Sequence, residues 1–283
     1  MISLRKLLDM NKVLKFLIGK GSAIAYAIIT AFFTILPEEC FKIVAVNTRW
    51  SETVNVLIVR LVVCLIAFIG ANIGYSIYKR KRQKVSIAGK NYSMQIEYGD
   101  LLSISSGKIV INFDECFTTN VGEEPADIKP ASVCGQYLKK YPINNMMELI
   151  DKADIKPERG KSQFKGMDRY PPGTIVPNGD YLLMAFAKLD QNGLGHLTYD
   201  EYLDCLNTLW EQIDLRHGTS DVYLPILGSK ITRFDKELTQ QELLDTMISS
   251  YRLSPKKMKK PYTLHVVCRE REGFSLNDVF GVD

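Results

Sequence analysis

Several stretches of the chain gather groups that can do chemistry. The apolar run Val222 to Leu227 empties into Gly228-Ser229-Lys230-Ile231-Thr232-Arg233-Phe234, ahead of a helix that opens near Thr239. A glycine turn after a strand aims successive backbone N–H groups one way, and such a nest, helped by Lys230 or Arg233, suits a diphosphate. The spacing of a Walker loop, Gly-x-x-x-x-Gly-Lys-Ser/Thr, is absent, and a plain strand-to-helix turn accounts for the same residues without a ligand. Asp114 and Glu115 are adjacent carboxylates at the end of an apolar strand, able to serve as a general-base pair, to bind a ligand amine, or simply to be solvated. Asp190 to Glu201 nearly matches a calcium loop, with oxygen-bearing residues at positions one, three and nine, Gly at six and Glu at twelve. Position five is Leu194, which has no side-chain oxygen, and Glu201 is also the capping-box partner of Thr198, so calcium is the weaker reading.

The elements that must hold these residues can be read from periodicity. Lys84 to Ile87 and Ser93 to Tyr98 are strands about a turn at Gly89-Lys90-Asn91, and Lys108 to Phe113 is a buried apolar strand. Helices are predicted at Ser132 to Tyr141 and Asn145 to Ala153, followed by a charged loop with Gly and Pro from Asp154 to Pro172. A strand at Tyr181 to Leu189, a helix opened by Thr198, a strand at Val222 to Leu227, a helix opened by Thr239 and a strand at Thr263 to Cys268 complete the pattern. Thr198 with Glu201 and Thr239 with Glu242 are capping boxes. Strands alternating with helices predict a layered α/β domain that binds ligands at the loops beyond the strand ends.

Charge separates this domain from what precedes it. Of 283 residues, the first 84 hold 13 basic and 4 acidic side chains, a net +9, and the rest hold 23 and 28, a net −5. An acidic folded domain argues against nucleic acid as a partner. The six cysteines form no Cys-x-x-Cys pair and no zinc-finger spacing, which suits a reduced, cytosol-facing domain without a metal.

In the basic part, the apolar stretch from Phe16 to Leu36 and the uncharged run from Leu61 to Tyr78 each reach membrane-spanning length, predicting helices at about 16–36 and 57–78. The first ends at Pro37-Glu38-Glu39 rather than at a cleavage site, so a two-helix hairpin is preferred over a signal peptide. Arg5, Lys6, Lys12, Lys15 and Lys20 precede the first span, and Lys79 to Arg82 with Lys84 follow the second, so the positive-inside rule puts both termini in the cytoplasm. Gly19, Ala23, Ala27 and Ala31, with Ala67/Ala71 and Gly70/Gly74, form small-residue stripes suited to close packing within or between chains. Asn72 is a buried amide expected to bond across helices rather than face a pore.

Tyr98-Gly99-Asp100-Leu101, the strand Ile109-Val110-Ile111-Asn112 and Leu224-Pro225-Ile226-Leu227-Gly228-Ser229 resemble the signatures of macro domains, which bind ADP-ribose and its derivatives. More closely, Tyr98 to Cys268 resembles the macro domain of the ThsA effectors of bacterial Thoeris anti-phage systems, in the type carrying two N-terminal membrane helices. Lys129 to Tyr137, Tyr170-Pro171-Pro172-Gly173-Thr174, Leu209-Trp210-Glu211 and Leu224 to Phe234 are the matching marks. The resemblance implies a three-layer α/β/α fold with a mixed central sheet, here spanning 85–283 after a transmembrane hairpin at 1–84.

By position, the resemblance implies that Asp100 contacts the adenine amine with Leu101 beside it, and that Gly228, Ser229, Lys230, Ile231 and Thr232 cradle the diphosphate. Asn112, Asp114 and Glu115 would then border the distal ribose and its substituent. The Asn-Ala-Ala-Asn-like loop of macro-domain hydrolases is replaced by Asn112-Phe113-Asp114-Glu115, and Cys134 stands where related effectors are expected to carry His. These departures favour a sensor without catalytic residues or cofactor over a membrane-tethered ADP-ribosyl hydrolase. The implied signal is an ADP-ribose derivative, histidine-ADP-ribose in the membrane-anchored type, made from NAD by a TIR-domain enzyme. Binding would drive homo-oligomerisation and disruption of the bacterial inner membrane, ending in abortive infection.

Overall fold

The computed structural model describes residues 20–42, 49–80, 82–229, 232–270 and 274–279. The chain divides into two compact units, Met1–Arg82 and Gln83–Asp283.

The first unit holds α1 (Lys20–Ile35), the short α2 (Glu39–Lys42) and α3 (Glu52–Arg80). The helix α1 stops ahead of Pro37, whose ring disfavours helical backbone in the residue before it; residues 16–19 of the expected helix lie outside the described residues. The helix α3 begins five residues earlier than expected. Ser51 opens it, its carbonyl accepting from Asn55 N at 3.1 Å and its hydroxyl from Val54 N at 3.4 Å, and Glu52 lies in the first turn, where the macrodipole favours an acid. Arg60 lies within the helix, with its guanidinium 5.7 Å from the Phe33 ring centre and 5.1 Å from that of Phe41.

The helices α1 and α3 pack antiparallel, Ser22 meeting Asn72 at one end and Phe33 meeting Arg60 at the other. Asn72 bonds across the pair: its Oδ1 accepts from the Ser22 hydroxyl at 3.4 Å, while its Nδ2 donates to Phe68 O at 2.8 Å. The small-residue stripes lie elsewhere. Ala23, Ala27 and Ala31 are exposed and Gly70 and Gly74 have open space beside them, whereas Gly21, Ser22 and Ala25 form the buried contact. Gly19 lies outside the described residues.

The second unit is built on one mixed sheet. Its strands are β1 (Lys84–Ala88), β2 (Ser93–Tyr98), β3 (Lys108–Asp114), β4 (Ile175–Asn178), β5 (Tyr181–Leu189), β6 (Gly195–Leu197), β7 (Val222–Pro225), β8 (Arg233–Phe234) and β9 (Thr263–Cys268), in the order β1-β2-β9-β7-β3-β5-β6-β8 with β4 beside β5. The pairs β2/β9, β9/β7, β7/β3 and β3/β5 are parallel, so their C-terminal ends share one edge. One face packs on α6 (Tyr199–Arg216) and α7 (Gln240–Leu253) through Met184, Leu206, Trp210, Met247 and Leu264. The other packs on α4 (Val133–Lys140) and α5 (Met146–Lys152) through Ile111, Tyr137, Ile150 and Leu183, giving three layers. Both capping boxes form, at Thr198 and at Thr239, and Ser132 and Asn145 cap the other two helices.

The strands β4, β6 and β8 were not expected from the sequence, being two to four residues long and embedded in loops. The calcium-like segment is the turn of the β5–β6 hairpin. Asp190 Oδ1 accepts from Asn192 N at 2.8 Å and Leu194 N at 2.9 Å, while Glu201 closes its capping box and pairs with Lys188 at 2.5 Å. No cluster of three or more metal-ligating side chains occurs among the described residues.

Candidate functional site

The shared edge of the parallel strands opens into a cleft, because the chain must leave each strand end without a ladder partner and the loops splay apart. Its larger part is a cavity of about 290 Å³ bordered by Asn112 and Asp114 from β3, Pro225 and Ile226 beyond β7, Gly228, Ser229 and Thr232 from the turn, and Ser132 to Cys134 at the start of α4. A second recess continues it past Ser132, Val133, Ile226 and Ser229 to Gly99, Leu101, Val267 and Arg269. The two share Ser132, Val133, Pro225, Ile226 and Ser229, so they lie side by side along the strand ends from β2 to β3.

Gly228 sits at the middle of this path with φ +79°, a left-handed conformation that favours glycine, and an added Cβ would lie 2.6 Å from the Phe234 ring. The start of α4 faces the same stretch. Ser132 caps it by accepting from Gly135 N at 2.9 Å, and the first-turn amides give that wall a partial positive charge. A glycine turn opposite a helix N-terminus is an environment for an anion between two less polar ends. Arg233, on β8, adds a cation at the edge.

At one end Leu101 is buried in the wall, while the neighbouring Asp100 caps the 3-10 turn Leu101–Ser103. Asp100 Oδ1 accepts from Leu102 N at 3.4 Å and lies 3.6 Å from Arg269 Nη2. Cys268 lies beneath, its thiol pushed up to about 12 by burial and, less, by the charge of Glu97.

At the other end the expected acids separate. Asp114 lines the cleft, but its Oδ1 accepts from Cys116 N at 2.8 Å and Thr118 N at 3.2 Å, and its Oδ2 from the Thr118 hydroxyl. Burial raises its pKa above the usual carboxylate range, and these hydrogen bonds offset the rise only in part. The loop it organises is tight: Phe117 takes φ +52°, held by packing on Phe113 at 5.9 Å and Tyr170 at 5.5 Å. Glu115, expected beside the ligand, points away from the cleft. It is 2% exposed, and its Oε1 accepts from the Ser162 hydroxyl at 2.5 Å and Leu189 N at 3.2 Å, so it ties the loop before Tyr170 to the end of β5. The physical reason is strand alternation, sharpened by the register irregularity between Phe113 and Asp114. The half-buried Asn112 lines the cleft with no hydrogen bond to its amide among the described residues. Burial holds the Cys134 thiol well above its usual value, which leaves it unreactive.

The cleft therefore gathers Leu101, Asn112, Asp114, Gly228, Ser229 and Thr232, while Asp100 does not line it but lies beside Arg269, which does; Glu115 is excluded, and Lys230 and Ile231 lie outside the described residues. Sequence reasoning missed the wall from Pro125 to Asp127, the hairpin tip Gly193 to Gly195, and Arg269. The two glycines of the hairpin tip were visible, but only as part of a calcium-like pattern.

Comparison with known proteins gives the same domain. A family model described as "Thoeris protein ThsA, Macro domain" matches residues 94–269. The Thoeris protein ThsA of Bacillus amyloliquefaciens (strain Y2) is 28% identical over 194 residues, which cover 65% of this chain. The chain spans 65%, just under two thirds, of the length of that relative. Among solved structures, the macrodomain of Thermus aquaticus DarG matches with a TM-score of 0.37 and 14% identity, over 62% of this chain and 97% of its own. A variant of the Oceanobacillus iheyensis macrodomain, solved with ADPR, gives 0.39 and 11%, over 69% and 92%. With the family model covering most of the sheet and both walls of the cleft, the chain belongs to the family of Thoeris ThsA macro domains.

Proposed function

We infer that this chain is a membrane effector of a bacterial Thoeris anti-phage system whose macro domain senses an ADP-ribose derivative. The observation that carries the reading is the pair of adjoining recesses, with Asp100 beside Arg269 at one end, the Gly228 turn facing the start of α4 at the middle, and Asn112 and Asp114 at the other, in a domain of the ThsA family. Such an order matches base, diphosphate and distal ribose along one ligand. A cationic substituent on that ribose, such as the histidine of histidine-ADP-ribose, would stabilise the charged form of Asp114 that burial disfavours. The signal would be made from NAD by a TIR-domain enzyme, and the two proteins would communicate only through it.

The first unit supports a place in the inner membrane. The segment Glu52–Tyr78 of α3 is long and apolar enough to cross a bilayer, with an 18-residue stretch of mean hydropathy 2.6, and at 1.5 Å per residue it reaches about 40 Å. The shorter Gly21–Ile35 packs against it. With the basic flanks read by the positive-inside rule, both termini and the macro domain are cytoplasmic. Ligand binding shifts the chain toward an oligomer by the difference between its affinities for the two assembly states, and the gathered hairpins perforate or disrupt the bilayer. The exposed Gly70 and Gly74 face would serve contacts between chains. With both Asp114 oxygens taken by its own loop, no free carboxylate stands beside the distal ribose among the described residues, which supports sensing over hydrolysis.

The full chain in proteoliposomes, titrated with ADP-ribose, histidine-linked ADP-ribose and NAD while dye release and the mass of recovered ligand are followed, tests this reading. Release triggered by one ADP-ribose derivative that is recovered intact is expected. Binding without leakage would overturn the membrane step, cleaved ligand would make the chain a hydrolase, and absence of binding would overturn the sensor.

A further inference from the structure

The recess at the end of β2 has no aromatic ring among its described lining residues. Its walls are largely aliphatic, from Leu101, Val133, Ile226 and Val267, with Ser132, Ser229 and Gln240 as polar members. Burial between aliphatic side chains is non-directional, so it gives affinity without fixing which edge of a base faces the mouth. Orientation must come from polar groups, and two charged side chains meet at its edge: Arg269, which lines the recess, and Asp100 beside Arg269. Arg269 directly follows β9, and Asp100 lies just beyond β2; the parallel register that pairs Tyr98 with Cys268 brings them together. Arg269 Nη2 lies 3.6 Å from Asp100 Oδ1, with the side chains 46% and 56% exposed. The Asp100 contacts fall on Oδ1, which also accepts from Leu102 N, and Oδ2 has no hydrogen-bond partner among the described residues.

Adenine presents a donor and an acceptor side by side, the 6-amine and N7, and a single side-chain amide can read both at once. At this mouth an acceptor and a donor stand side by side on separate residues. Taking the contact of Asp100 with the amine as the resemblance implies it, we propose that Arg269 completes the reading of that edge, its guanidinium donating to N7 while Asp100 Oδ2 accepts from the amine. The inference rests on the reading of the cleft as an ADP-ribose site, and it makes Arg269 a specificity determinant. The guanidinium has five N–H donors, so it can reach N7 while another of its donors stays beside Asp100 Oδ1. A hypoxanthine base carries an oxygen in place of the amine, which turns an acceptor toward Asp100 and loses the bond.

The test is calorimetric titration of the full chain in detergent with ADP-ribose, its 7-deaza-adenine analogue and its hypoxanthine analogue. The wild-type protein is expected to bind the 7-deaza analogue about tenfold more weakly than ADP-ribose, as for a lost hydrogen bond to a charged donor. Arg269→Met should bind both with the same affinity, and Arg269→Lys should restore part of the difference. A merely structural role for Arg269 would weaken both ligands alike and leave their ratio unchanged. Equal wild-type affinity for ADP-ribose and its 7-deaza analogue overturns the proposal whatever the variants do, as does discrimination that persists in Arg269→Met. Failure of ADP-ribose itself to bind overturns the reading of the cleft, and this proposal with it.

Discussion

Gly228→Ala separates two costs that the structure lets one calculate. The backbone there has φ +79°, and a non-glycine residue in the left-handed region costs about 1–2 kcal/mol. The new Cβ would also lie 2.6 Å from Cε2 and Cζ of Phe234, a ring that packs on Tyr202 at 5.5 Å, so the ring must shift, adding about 1–3 kcal/mol as for an overpacked core. Gly218→Ala is the control, since its φ is +63° but nothing lies within 4 Å of its added Cβ, leaving only the backbone cost. Thermal unfolding of the full chain in detergent, followed through Trp210, which is buried against Tyr251, reports both. At about 2–4 °C per kcal/mol for a domain of this size, Gly228→Ala should melt roughly 2–12 °C below Gly218→Ala. Because the displaced turn carries the amides proposed to hold the diphosphate, ADP-ribose affinity measured well below both melting points should fall at least about tenfold in Gly228→Ala only. Two variants melting within a degree of each other would refute the steric argument. Unchanged affinity would refute the assignment of the turn to the diphosphate.

Asp114→Asn tests the buried acid. The folded pKa of Asp114 is raised above its usual 3.8, so the fold favours the protonated form, and its contribution to stability is lost as the pH climbs through the folded value. Asn keeps the acceptor for Cys116 N and Thr118 N and can donate to the Thr118 hydroxyl, so Asp114→Asn should match wild type near pH 4 and melt higher at pH 7 to 8; a deficit independent of pH counts against this. Glu115→Ala strands the Ser162 hydroxyl and Leu189 N without water and should cost about 2–5 kcal/mol, while ADP-ribose affinity of the folded protein stays within twofold. A Glu115→Ala protein of wild-type stability, or one that folds but no longer binds, would return Glu115 to the cleft. Thr239→Ala opens the capping box of α7 and should lower stability by about 1 kcal/mol in denaturant unfolding; no change would mean that packing alone starts the helix.

Much of this molecule is legible along the chain because the responsible physics is local. Alternation marked β2 and continuous apolar runs marked β5 and β9, all to within a residue, four side-chain caps marked where helices begin, and two long apolar runs marked the helical pair. The site was legible only in part. That a glycine turn follows β7 is a sequence fact, whereas its facing the start of α4 depends on two loops from opposite ends of the domain closing over one sheet edge. Asp114 and Glu115 are indistinguishable as letters, and only the direction of the pleat at the end of β3 sends one into the cleft and the other beneath it. Asn72 shows the same division: an amide in an apolar helix predicts a partner, and the antiparallel packing of α1 on α3 supplies Ser22. Asp100 and Arg269 lie far apart along the chain, so nothing in composition or spacing joins them. The parallel pairing of β2 with β9 does, because strands in register end together and place whatever follows each of them at the same mouth.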